Sequence, residues 1–117
     1  MASFRHAGRG LVLLVRTQPN ARIHLAATAA TIVAGWALRV DAAGWRWLVA
    51  AIAAVWAAEA FNTALERLCD AVHPAVHPGI RDAKDAAAGA VLATSAGAAF
   101  VGLLTLGPPL WERLNGR

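Results

Sequence analysis

Five of the seven acidic residues in this 117-residue chain fall between positions 59 and 85. Glu59 lies deep inside an apolar segment, twelve residues after Trp47. A carboxylate at that depth in a bilayer costs at least a few kcal/mol, so such a residue is read as functional by default. On a helical wheel with Glu59 at zero, Asn62 falls near roughly −60°, Glu66 near −20° and Asp70 near +20°. Four polar groups therefore share a stripe about 80° wide and, at 1.5 Å per residue, roughly 16 Å long. Glu66 and Asp70 are like charges at i,i+4, which repel on a bare helix. A shared cation reverses that sign. Oxygen ligands without thiol or imidazole at helical spacing suit Mg²⁺ better than zinc. The plainer reading makes Glu66 and Asp70 solvated residues at a helix end, with Arg67 as counter-ion, but it leaves Glu59 and Asn62 unexplained.

A second cluster follows Pro74 and Pro78, where Arg81, Asp82, Lys84 and Asp85 open the next apolar segment. Asp82 or Asp85 would serve as a helix cap or complement the helix dipole. Lys84 is the only lysine, and a lone ammonium beside a carboxylate-lined helix end is a natural partner for phosphate oxygens. His73 and His77, each followed by proline, read as loop residues. Neither G-x-x-x-x-G-K-S/T nor G-x-G-x-x-G occurs, so a nucleotide would be held by metal and side chains rather than by a phosphate-cradling loop.

The elements that must position these groups belong to a membrane. Hydrophobic residues make up 58% of the chain, charged residues 15%, and the mean hydropathy is +0.49. Average soluble domains have about 45–50% and about 25%. A soluble domain this small needs more polar surface, and a disordered chain far fewer apolar residues. The net charge of +4 comes from scattered arginines without interleaved aromatics, which excludes a nucleic-acid partner. Cys69 is the single cysteine and reads as a small apolar residue.

Residues 1–18 form an amphipathic surface helix, with Leu11, Leu14 and Val15 on one face and a stripe of Arg5, Arg9 and Arg16 on another. Transmembrane helices are expected at about 22–39, 45–69 and 85–107, the last ending at Gly107-Pro108-Pro109. Trp36, Trp45 and Trp47 gather at the turn between the first two, as in an interfacial belt. Arginine and lysine favour the N-terminal arm and the 69–85 loop, which the positive-inside rule assigns to the cytoplasm. Gly89, Ala93 and Gly97 recur at four-residue intervals, a spacing that lets helices approach closely. Three alanine-rich helices cannot enclose a polar stripe alone, so the stripe is expected to face another copy of the chain in a homo-oligomer.

The assembled residues resemble the small integral-membrane lipid kinases of bacteria, the diacylglycerol and undecaprenol kinases. The resemblance rests on Glu59, Asn62, Thr63 and Glu66 in an E-x-x-N-T-x-x-E pattern, on Asp70, and on Ala83-Lys84-Asp85 followed by Ala87-Ala88-Gly89-Ala90-Val91. The run from Arg16 through Gln18, Asn20, Arg22 and His24 is similar to the family's N-terminal junction, and the resemblance covers essentially the whole chain. It implies an all-α membrane protein, a homotrimeric bundle of a surface helix and three transmembrane helices, in the bacterial inner membrane with its active site on the cytoplasmic side. It implies transfer of the γ-phosphoryl group of MgATP to the primary hydroxyl of undecaprenol or diacylglycerol. Glu59 would be the catalytic base and Asn62 would position substrate. Glu66 would hold Mg²⁺, and Gln18, Glu66, Asp70, His77, Lys84 and Asp85 would contact or orient the nucleotide. Gln18 stands where many members carry a second metal-binding glutamate. The competing readings are a proton or ion pathway through Glu59 and Glu66, and an accessory subunit without chemistry.

Overall fold

A computed structural model describes residues 1–117. The chain forms α1 (Ala2–Thr17), α2 (Pro19–Ala37), α3 (Ala42–Val72) and α4 (Pro78–Leu114). Both α2 and α4 open with proline at the first turn, where the missing N–H is harmless and φ is already helical. Between α1 and α2 only Gln18 is extended. Arg22 closes that corner by donating to the terminal carbonyls of α1, at 2.9 Å to Val15 and 2.8 Å to Arg16. Arg67 of α3 adds a bond of 3.3 Å to the Thr17 hydroxyl. It is therefore bound to the α1–α2 corner and is not the counter-ion of Asp70.

The long helices each turn one seam inward, with partly or fully buried residues at alternating spacings of three and four. On α2 the seam is Ala21, His24, Thr28, Thr31 and Gly35. On α3 it begins Leu48, Ile52, Val55 and continues into Glu59, Asn62 and Glu66. On α4 it includes Lys84, Ala87, Val91, Thr94 and Ala98. A repeat averaging 3.5 residues is the pattern of coiled-coil seams. The polar stripe of α3 is thus the direct continuation of its packing seam. The main packing runs along α3 and α4, and Trp56 links α3 to α2 through a bond of 3.0 Å from its indole N–H to Thr28.

A Schellman arrangement ends α2. The Val40 amide donates to Gly35 at 3.0 Å and the Arg39 amide to Trp36 at 3.2 Å. Arg39, at φ 56°, occupies the left-handed position usually given to glycine. Asp41 then caps α3, accepting from the Gly44 amide at 2.8 Å. The rings of Trp36 and Trp45 meet across this turn at 5.9 Å.

The expected helix end at Gly107-Pro108-Pro109 is corrected: α4 continues through both prolines to Leu114. The prolines withdraw the N–H groups that would reach Leu104 and Thr105. They line a cleft against the α2–α3 turn, and Arg113 beyond them donates to the Ala37 carbonyl at 2.7 Å. That bond to the end of α2 holds the last turns in line.

Two helices, α3 and α4, are long and apolar enough to cross a membrane. At 1.5 Å per residue their 31 and 37 residues span roughly 46 and 55 Å. Only seven of the 117 residues are buried, and none of these is on α4. Such an exterior, with Leu92, Phe100, Leu103 and Leu104 open, suits hydrocarbon rather than water. The small-residue stripe of Gly89, Ala93 and Gly97 is exposed on α4, and a Cβ added at either glycine would meet nothing in its own chain.

Gly35 is where close approach is obligatory, because a Cβ there would lie 2.7 Å from the Trp45 ring. Gly35→Ala should destabilise the protein by about 1–3 kcal/mol, the usual scale of overpacking. Thermal unfolding in detergent reads this as a lower Tm. The loss should largely disappear in a Trp45→Leu background.

Candidate active site

Glu59 is 2% exposed, although it carries a carboxylate. Within its own chain it is covered by α2. The group it meets is His24, whose Nε2 lies 3.6 Å from Glu59 Oε2. That is ion-pair range but longer than a hydrogen bond, and Oε2 has no hydrogen-bond partner in the chain. Asn62 Oδ1 and Thr63 Oγ1, one helical turn further on, are likewise buried and unbonded. Buried polar atoms are nearly always paired in native proteins, so three orphans on adjacent turns mark a place built to receive another polar group.

Towards its C-terminal end the seam opens. Glu66 is partly buried and Asp70 exposed. Lys84 reaches across from the second turn of α4 and donates to Asp70 Oδ1 at 2.6 Å. The hydrogen bond to Asp70 raises the lysine above its ordinary value of 10.5. Partial burial opposes that rise, and the charges of Asp70, Cys69 and Glu66 reinforce it. The carboxylate-lined end of α3 and the lone ammonium therefore belong to one cluster in a single protomer.

His77 is the N-cap of α4, its Nδ1 accepting from the Gly79 amide at 3.0 Å. Asp82 and Asp85 do not cap the helix, since it begins ahead of both at Pro78. Asp85 is exposed beside Lys84. Gln18 occupies the α1–α2 corner, and the Arg67–Thr17 bond brings that corner to the stretch of α3 carrying Glu66. No three of the chain's histidine, cysteine, aspartate and glutamate side chains converge as a metal cage. A cation here would take one protein carboxylate, Glu66, and complete its shell with phosphate and water. That donor set fits Mg²⁺.

His24 is the site residue that the pattern of acids did not disclose. Its signal was nevertheless legible: an imidazole within an apolar segment, three residues from Ala21 and four from Thr28 on one helical face.

A buried carboxylate on a membrane helix, with unpaired polar neighbours and a cluster of carboxylates around one ammonium at the helix end, is the equipment of an enzyme working at the bilayer surface. The prokaryotic diacylglycerol kinase family model matches residues 5–106. The undecaprenol kinase of Bacillus subtilis (strain 168) is 36% identical over 108 residues, which are 92% of this chain and 88% of that protein. The diacylglycerol kinase of Synechocystis sp. (strain ATCC 27184 / PCC 6803 / Kazusa) is 39% identical over 111 residues, which are 94% of this chain and 63% of that protein. No solved structure matches. The chain belongs to the prokaryotic diacylglycerol kinase family, and it is a membrane lipid kinase. That activity replaces the readings as an ion pathway or an accessory subunit.

The Asp70–Lys84 bond has a definite pH signature. A group whose value is raised by folding contributes its full stabilisation below its unfolded value and loses it as pH rises through the folded one. The Tm advantage of the wild type over Asp70→Asn should hold from neutral pH up to 10.5 and close above it. A margin that persists far above that pH contradicts the pairing.

Proposed function

We propose that this enzyme transfers the γ-phosphoryl group of ATP, taken as its magnesium complex, to the primary hydroxyl of a membrane lipid alcohol. The observation that carries the proposal is the buried Glu59 carboxylate, whose Oε2 accepts no hydrogen bond, with Asn62 Oδ1 and Thr63 Oγ1 likewise unbonded beside it. A buried acceptor of that kind is suited to take the proton of an alcohol. In this reading Glu59 is the general base and Asn62 orients the hydroxyl.

At the other end of the seam, Lys84 exchanges Asp70 for the phosphate oxygens. Asp70, Asp85 and His77 orient the nucleotide, and Glu66 holds the metal, with Gln18 as a weaker second ligand. Bound magnesium would neutralise phosphate charge. The protein's own share is positioning, because phosphoryl transfer asks for little covalent chemistry from side chains.

Undecaprenol is the favoured acceptor and diacylglycerol the alternative. The Asn20-Ala-Arg-Ile-His24 junction, which is more similar to family members assigned that role, supports this. The assembly is a homotrimer in the inner membrane, with α2 as its third span and the N-terminus and residues 69–85 cytoplasmic. Two features support association: the uncovered small-residue stripe of α4 and the near-absence of buried residues in one protomer.

Radiolabelled phosphate transfer to undecaprenol and to diacylglycerol, assayed in parallel, tests the reading. Glu59→Gln should lose about 10²–10⁴-fold in turnover, the usual share of a general base. Nucleotide with Mg²⁺ should raise the Tm of the detergent-solubilised wild type but raise that of Lys84→Met much less. Wild-type turnover in Glu59→Gln would defeat the assignment of the base.

A further inference from the structure

The general base needs a fixed orientation, and its own helix does not supply one. Oε2 of Glu59 accepts no hydrogen bond, and its neighbours one turn away, Val55 and Thr63, offer it none. Across the α2–α3 contact, the one ionisable side chain within reach is His24, with Nε2 at 3.6 Å. The imidazole is 18% exposed and the carboxylate 3%. One bond holds α2 in that register: Trp56 to Thr28, a turn further along α2. His24 also lines the apolar cavity of about 250 Å³ between α2, α3 and α4, whereas Glu59 does not. The imidazole therefore faces hydrocarbon on one side and the carboxylate on the other.

We infer that His24 is a positioning residue for phosphoryl transfer: its Nε2–H fixes the Glu59 carboxylate so that the other oxygen meets the lipid hydroxyl. This rests on Glu59 being the base. A contact of 3.6 Å before substrate arrives is consistent with a hydrogen bond that tightens in the reactive complex. A carboxylate rotor left free by loss of that N–H is misplaced by about 1 Å, an error on the order of 10²-fold in rate.

The experiment uses His24→Phe, His24→Gln, Glu59→Gln and the Glu59→Gln/His24→Phe double variant in the full-length, membrane-reconstituted enzyme. His24→Phe keeps ring volume without a donor, and His24→Gln restores an N–H at nearly the Nε2 position. His24→Phe should lower kcat by about 10²-fold with KM for lipid and nucleotide unchanged. His24→Gln should recover most of that loss. In a Glu59→Gln background, His24→Phe should have no further effect, since the group it positions is gone. Equal Tm values with Mg²⁺ and nucleotide confirm that each variant is folded and able to bind. The inference is overturned if His24→Phe retains wild-type kcat, if His24→Gln is as slow as His24→Phe, or if the two losses multiply. Full activity in Glu59→Gln overturns the base and this inference together, whereas an inactive Glu59→Gln beside a fully active His24→Phe overturns the inference alone.

Discussion

A carboxylate inside a thin helical bundle has to be kept from hydrocarbon, and the arrangement of the other helices follows from that demand on Glu59. On α3 the seam that begins with Leu48, Ile52 and Val55 turns polar at Glu59 and stays so through Asn62 and Glu66. Packing and chemistry thus share one line of residues. The apolar half fixes the helix against α2 and α4. That same rotation then dictates where every polar group of the other half must point, because residues at three- and four-residue spacing lie on one face.

The helices around α3 are adjusted to that line. The inward seam of α2 is small and polar rather than bulky: Ala21, His24, Thr28, Thr31 and Gly35. Small residues permit close approach, and the polar ones give α3 something to bond to in a medium that offers no water. At the opposite end, α4 presents Lys84 from its own seam to Asp70. The two polar regions of α3 are therefore served by different helices: a histidine meets the buried end and an ammonium the open one. The corner between α1 and α2 is fixed by Arg22 and Arg67, which satisfy the terminal carbonyls of α1 and the Thr17 hydroxyl. Arginines read from sequence as topology signals thus also hold the corner that carries Gln18.

The interior is slight for a folded chain, with Leu14, Ala21, Leu48 and Val55 as its buried apolar residues. In water so small a core would not hold four helices, since small domains already bury too little surface. In a bilayer the apolar exterior is at no disadvantage, and helices associate through close contact and a few polar bonds instead. The Trp56–Thr28 bond and the Gly35–Trp45 contact are of that kind.

The sequence by itself determined the helical class, the membrane setting, the stripe from Glu59 to Asp70 and the likeness to lipid kinases. The first three depend only on residue type and on a period of 3.6, which are local properties, and the likeness rests on the motifs at 59–70 and 83–91. The plainer reading, with Arg67 as counter-ion at the end of α3, fails because it looks only to neighbours along the chain. Arg67 is adjacent in sequence, but its long side chain is bound to α1, and the partner is Lys84, fourteen positions away. The proline pair likewise reads as a stop, yet α4 passes through it, with Arg113 on the far side bonded to Ala37. Which face of Glu59 was covered, and by what, was decided by the tertiary structure alone. Helical periodicity places a residue on a face of its own helix, but only the packing of one helix on another decides what that face meets, and here it met His24.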